Sequence, residues 1–375
     1  MKQLFVIFLT LCTSGSAAEL LSVAQHFPQG FVPLSDVLQA PNTNGGVIAG
    51  TGNGDWEKHP LHRGLGSWVY PANATAEPLI TLTGTNWHLH DFSLHGGKPD
   101  EAAPATLPAA GIKVKFQKGV GTGGLDIERV NVTNVVAAFQ FGEVEADAMC
   151  DTTSVRKVNA KHVDYVVLQN NAMAMENTYA NVQCSQIRKA AFRFADGGNN
   201  AIRDSTMSTV APAAGEQVAF VSLGSPASNN WTYTVTNCKL DKQCGADACF
   251  LDMTDKPLHG TVTIIGCHVA HGGYSGSKHL FNLHDSIRVT IIGGANLLQK
   301  HAIFVKRDWP KCNPPTIVAI NHERCASPHD MVAPGSAPVY IQCIACGTQQ
   351  SDLPGGRMMV FSFNNLVDRS GEANE

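Results

Sequence analysis

The sequence predicts an all-β protein wound as a right-handed parallel β-helix behind an N-terminal cap. Two repeating columns and one missing pattern carry that expectation. Short apolar segments built around a large residue recur at Phe139, Val166, Phe192, Phe220, Phe250, Phe281, Phe304 and Tyr340, at intervals of 23 to 36 residues. Between them, a second column closes each run with a turn former, at Asn237, Gly266, Gly293 and Asn321, spaced 27 to 29 residues apart. Asn131 and Asn159, 28 apart, read as the same column. Asn and Gly tolerate the left-handed backbone, so a fixed turn after a strand explains them. What is missing is the 3.6-residue period of helical repeats; the runs alternate with period two or form β-branched blocks.

A repeat of about 27 residues is too short for the four strands of a propeller blade and suits a coil of two or three strands. Coils of that kind stack at strand spacing, about 4.8 Å. Residues 1–18 read as a secretory signal. Lys2 is the basic start, residues 4–12 the apolar core, and Ser14-Gly15-Ser16-Ala17-Ala18 the small-residue exit. The core falls well short of the roughly 20 residues a bilayer span needs, and no second run of that length follows. The rest, 19–375, is expected to be one domain: a cap over 19–77 with a short helix near 33–40, coils over 78–346 with an insertion at 104–110, and a final strand and tail over 347–375. A capped solenoid of this kind is expected to be a secreted monomer without membrane insertion.

Composition narrows the function. Charged residues make up 15% and the formal net charge is −4, so there is no basic field for nucleic acid. Without Cys12 in the signal, ten of the 11 cysteines remain, and an exported chain is expected to pair them. Cys238 and Cys267 share a phase in adjacent coils, within reach of a disulfide. Cys343 and Cys346, spaced Cys-x-x-Cys without a second matching pair, also read as structural.

The run Gly45-Gly46-Val47-Ile48-Ala49-Gly50-Thr51-Gly52, followed by Pro78-Leu79-Ile80-Thr81-Leu82-Thr83-Gly84-Thr85-Asn86, resembles the entry of the pectin-lyase-like β-helix superfamily. The resemblance covers about residues 45–346. It implies an extracellular β-helix of a group whose members mostly cut, modify or bind acidic polysaccharides. The acidic trio of polygalacturonase-type hydrolases and the calcium-binding cluster of pectate lyases are not recognisable, so the resemblance bears on fold more than on reaction.

Outward positions beside the apolar column form a polar stripe. Lys113 and Lys115 flank Val114, Gln140 separates Phe139 from Phe141, and Arg193 separates Phe192 from Phe194. Ser222, Asp252, Asn282, His284, Lys306 and Asp308 follow. Acid, imidazole and amine within a few strand spacings suit general acid–base work, which nominates Asp252, His284, Lys306 and Asp308 as catalytic. Lys113, Lys115, Arg193, Asn282 and Tyr274 are nominated for substrate binding. A slip of one residue would turn His284 inward and Asp285 outward. Tyr274 lies in the Gly- and His-rich stretch 268–279, whose His268, His271 and His279 have no recognised zinc spacing, so neither metal nor cofactor is expected. His88 and His90 alternate on one strand face and stand next in line as a site. Asn73, Asn131 and Asn230 match glycosylation acceptors.

Two functions fit. The first is a secreted polysaccharide-active enzyme, a lyase or hydrolase of an anionic glycan. In a lyase, Lys306, Lys115 and Arg193 would neutralise a uronate; in a hydrolase, Asp252 and Asp308 would flank the bond. The second is a non-catalytic glycan-binding or surface protein built on the same coils, since fold does not dictate function.

Overall fold

The computed structural model describes residues 23–40, 43–52, 66–98, 101, 104–115, 122–142, 150–171, 174–224, 231–253, 260–270, 279–284, 286–306, 313–349 and 358–372. The signal segment, Tyr274 and Asp308 lie outside the described residues. Among those described, an 18-stranded sheet and a 10-stranded sheet run the length of the chain. Neighbouring strands within them pair in parallel except the last two, Val339–Gln349 and Met358–Val367, which form an antiparallel pair. Successive coils each add a strand to both sheets, as a parallel β-helix requires. Parallel pairing already begins at Val23–His26, which lies beside Thr43–Ala49.

A left-handed residue bends the larger sheet once per coil. The column is Asp91, Arg129, Lys157, Asn181, Asp204, Asn237, Gly266, Gly293, Asn321 and Ala345, all with φ between 50° and 63°. The expected members Asn237, Gly266, Gly293 and Asn321 stand in it. Asn131 and Asn159 do not: they lie two residues past the bend, paired side by side, with Asn159 Nδ2 donating to Asn131 Oδ1 at 3.1 Å. Charged residues take the bend positions of those coils, and no preference for Asn marks them in sequence.

Aromatic rings stack inside. Phe192 meets Phe220 at 5.4 Å between centroids, Phe220 meets Phe250 at 5.4 Å, and Phe250 meets Phe281 at 6.2 Å. The sequence column mixed two phases. The strand register aligns Phe139 with Val167, Phe192, Val221, Leu251, Phe281 and Ile303. Val166, Phe220 and Phe250 sit one residue earlier, where the pairing skips a position, and are equally buried. Two successive interior residues per coil thus read as one column. Phe304 faces outward, and Tyr340 belongs to the larger sheet.

Two further expectations are corrected. The helix near 33–40 is absent: Gly30–Leu34 and Leu38–Gln39 are strands, paired with Ser67–Pro71 and Ile80–Leu82. Pro33 removes a donor that a helix interior needs, and an edge strand tolerates the loss. No disulfide forms among the described residues. Cys184, Cys238, Cys244, Cys249, Cys267, Cys325, Cys343 and Cys346 are buried thiols. Cys238 and Cys267 do stack as expected, but as an apolar pair, with the Cys238 amide donating to Cys267 Sγ at 3.2 Å. Inward thiols at strand spacing fill the core like small hydrophobes. No helix among the described residues is long and apolar enough to cross a membrane.

Candidate active site

Opposite-charge side chains converge on the outer face of the larger sheet, around the bend at Asp91. Strand Gly84–His95 carries His88 and His90, and the next coil places Asp126 beside His88 and Glu128 beside His90. The coil after that adds Ser154 beside Asp126 and Arg156 beside Glu128. Their side chains share one face because alternate strand residues do. The two imidazoles lie 4.5 Å apart between centroids. His88 Nε2 is buried, lacks a hydrogen-bond partner and stands 3.6 Å from Asp126 Oδ2.

The bend supplies the remaining groups. In a straight strand Asp91 would face away from His90; its left-handed φ of 62° brings it back, and Asp91 Oδ2 lies 2.7 Å from His90 Nδ1. Arg129, the bend residue of the next coil, holds the same carboxylate in a fork, with Nε to Oδ1 at 2.6 Å and Nη2 to Oδ2 at 2.8 Å. A carboxylate only accepts, so Nδ1 of His90 carries a proton, and in the neutral ring Nε2 then presents the lone pair. This is the base-and-orienter geometry of general acid–base sites.

Cations balance the carboxylates. Glu128, 6% exposed, receives Arg129 Nη1 at 2.5 Å, Lys157 Nζ at 3.0 Å and Arg156 Nη2 at 3.1 Å. Arg156 also forks onto Asp126 at 3.1 and 2.7 Å. The Arg129 guanidinium, against the opposing pull of burial, holds the Asp91 carboxyl down to about 2. Lys157 first, then Arg129, lowers Glu128. Ligand atoms of His88, Asp126 and Glu128 lie within 4.8 Å of one another, near enough to hold a metal ion. Arg156 already spans both carboxylates, so the donor set is better matched to guanidinium than to a metal.

The stripe nominated from sequence lies on the smaller sheet. Register places Lys113, Gln140, Leu168, Arg193, Ser222, Asp252, Asn282 and Phe304 in one outward column. Arg193 Nη1 donates to Ser222 Oγ at 2.9 Å, and Asn282 Nδ2 to Gln217 Oε1 at 3.5 Å. Lys115 and Lys306 are exposed just beyond strands Ala110–Val114 and Ile303–Val305, and Phe304 fills the column position in the coil of Lys306. His284 is 3% exposed, at the end of strand Phe281–Leu283, and its amide donates to Met253 Sδ at 3.4 Å. His268 and His279 are half-buried; His279 stacks on Phe304 at 5.0 Å.

Family models and curated protein sequences yield no match to the chain. Solved structures do. The catalytic unit of a thermostable GH87 α-1,3-glucanase from Streptomyces thermodiastaticus strain HF3-3 superposes with a TM-score of 0.50 at 14% identity, over 89% of this chain and 60% of that one. The gp42 tailspike of Acinetobacter phage vb_AbaP_AS12 superposes with a TM-score of 0.52 at 12% identity, over 90% of this chain and 59% of that one. The chain shares the parallel β-helix fold with these structures. It spans about three-fifths of the length of those two structures, and at such identities the likeness concerns fold alone.

Within this β-helix, sequence reasoning found two members of the ionic cluster, His88 and His90. It missed Asp91, Asp126, Glu128, Arg129, Arg156 and Lys157. The usable signal was the 28-residue spacing between Glu128 and Arg156, and between Arg129 and Lys157. Those pairs recur with the same period as the apolar column.

Proposed function

We propose that the chain is a secreted carbohydrate-active enzyme that cleaves an anionic polysaccharide by β-elimination at the face of His88 and His90. The observation that carries this is the Arg129–Asp91–His90 relay, which fixes one imidazole through its Nδ1 and leaves Nε2 as the nitrogen for the substrate proton. His90 takes the proton from the carbon next to the uronate carboxyl. The electron pair forms a C=C bond as the bond to the glycosidic oxygen breaks, and His88, one ring away, returns a proton to that oxygen. Lys157, with its side chain 57% exposed, and Arg156 would neutralise the sugar carboxylate as charge builds. The solved structures of the same fold include a glucanase, which supports a carbohydrate substrate.

A second reading keeps the chemistry on the smaller sheet, with Asp252 and Lys306 reacting, Asp308 and His284 assisting, and Lys113, Lys115, Arg193, Asn282 and Tyr274 holding the chain. The single register column from Lys113 to Asn282 favours it. The deciding experiment is incubation with a panel of polyuronates and neutral glucans, following ultraviolet absorbance of the new double bond and release of reducing ends. Absorbance on a polyuronate, abolished in His90→Gln, supports the first reading. Reducing ends without absorbance point to hydrolysis, and silence across the panel points to a binding protein.

A further inference from the structure

The acceptor pattern for N-linked sugars, Asn-x-Thr, occurs at Asn73, Asn131 and Asn230, and the fold treats the first two oppositely. Asn131 lies within strand Asp126–Thr133, is 6% exposed, and accepts from Asn159 Nδ2 at 3.1 Å. Thr133, which supplies the hydroxyl of the same pattern, is buried as well. Neighbouring coils flank Asn131 on both sides, with Ser93 in one and Asn159 in the other. A sugar on Asn131 would displace these neighbours, so a chain modified there could not close the coil. Asn230 lies outside the described residues.

Asn73 stands in the loop that joins strand Ser67–Pro71 of the larger sheet to Ile80–Leu82 of the smaller one. Asn73 and Ala74 are exposed, and among the described residues nothing hydrogen-bonds the Asn73 side chain. The loop is tied down on either side of the pattern. The Ala72 amide donates to the Leu34 carbonyl at 2.8 Å, and the Ala76 carbonyl accepts from the Ala109 amide at 2.9 Å. Between those ties Asn73 borders an open groove lined by Leu34, Val37, Pro71 and Leu79. Thr75 Oγ1 accepts from the Glu77 amide at 3.0 Å, which leaves its own O–H to donate.

We propose that Asn73 carries an N-linked glycan, a modification that rests on the reading of the chain as exported. The donor is an oligosaccharide on a polyprenyl diphosphate, and a transferase of the export pathway joins the two. Asn73 Nδ2 attacks the anomeric carbon, and a C–N bond forms as the C–O bond to the diphosphate breaks. The diphosphate leaves with the bonding pair, and the amide nitrogen loses one proton. The glycan stands in solvent, displaces no packed side chain, and adds a bulky hydrated cover to the N-terminal end of the solenoid. Residues 67–69 pair with residues 92–94, past the bend at Asp91, whereas His88 and His90 precede that bend. The glycan therefore lies across the bend from the imidazoles.

The test is the full chain, residues 1–18 included, produced in a eukaryotic secreting cell. Secreted protein is peptide-mapped before and after peptide-N-glycosidase, which releases the sugar and leaves Asp in place of Asn. The expected map shows Asp at position 73 after treatment and not before, with Asn131 unmodified in both. Asn73→Gln and Thr75→Ala should each lose one glycan from the intact mass, whereas Thr75→Ser should keep it. Circular dichroism of the three should match wild type. A secreted chain with bare Asn73, or with sugar on Asn131, overturns the proposal while the export reading stands. A chain held inside the cell overturns both. Should a variant fail to fold, the wild-type map decides by itself.

Discussion

His90 Nδ1 stands 2.7 Å from Asp91 Oδ2, so the imidazole is held directly by its own chain neighbour, whose carboxylate Arg129 of the next coil clamps in turn. Adjacent strand residues normally face opposite ways. The left-handed bend at Asp91 is what places both on one side. Backbone in this region is costly for residues other than glycine and asparagine, yet it recurs once per coil as the bend of the larger sheet.

The first prediction follows from that pair. His90→Gln should lower turnover by about 10² to 10⁴, the usual worth of a general acid or base. Asp91→Asn should keep the ring in place but favour the wrong tautomer, costing at least about tenfold in kcat with little change in KM. Steady-state kinetics on the best polyuronate, with circular dichroism as the control for folding, measures both.

The two candidate faces separate cleanly. If the reaction belongs to the His90 face, Asp252→Asn and Lys306→Ala should leave turnover within about threefold of wild type. If it belongs to the smaller sheet, each should lose about a hundredfold and His90→Gln should be almost silent. One set of parallel assays on the three variants decides between them.

Acid should destabilise the fold in a definite window. The Asp91 carboxyl is held down to about 2 by Arg129, and Glu128 is lowered in the same direction by Lys157. A carboxylate with a depressed folded pKa adds stability above its unfolded pKa, near 4, and loses it as pH falls through the folded value. Melting temperature should therefore drop between about pH 4 and pH 2. The slope should be shallower in Asp91→Asn, as calorimetry across that range can show.

Gly50 links the core to the site. A Cβ built there would lie 2.3 Å from the Asp91 carbonyl oxygen and 2.8 Å from Phe92 Cβ. Its amide donates to the His90 carbonyl at 3.0 Å. Gly50→Ala must push the bend outward, so activity should fall with stability. Phe220→Ala, far along the aromatic stack, should cost about 3–5 kcal/mol of stability and leave turnover per folded molecule unchanged. Denaturant unfolding paired with kinetics distinguishes the two effects.

The eight buried thiols should resist a thiol reagent in the native protein and react on unfolding. Burial shields them and pushes the thiols of Cys184 and Cys244 up, the latter to about 12. Alkylation before and after denaturation, with peptide mapping, gives the count. Recovery of Cys238 joined to Cys267 would contradict the thiol pair in the structure.

Much of the solenoid was legible because burial writes itself into sequence with a fixed period. Phe192, Phe281 and the bend residues Asn237 to Asn321 are chosen by the interior and by the left-handed turn. The exact register was not legible, because Phe220 and Val221 are both interior and neither marks the phase. The ionic cluster was harder still. Arg129 and Lys157 occupy bend positions that elsewhere hold Asn or Gly, so the rule that reveals the bends hides these two. His88 and His90 showed through only because period two on a single strand is a local signal. The carboxylates registered beside them, Asp126 and Glu128, come from the next coil, 38 residues later.

The cluster draws on three successive coils: His90 and Asp91 from one, Glu128 and Arg129 from the second, Arg156 and Lys157 from the third. No single turn of the chain holds a working arrangement. As the chain winds up, the imidazole is first a surface ring, then gains its clamp when the second layer docks, and meets the last of its cations only with the third. If the proposed reaction runs at this face, proton-transfer competence is a readout of assembly. A truncated molecule lacking any of the three layers should be inert however well the remainder folds.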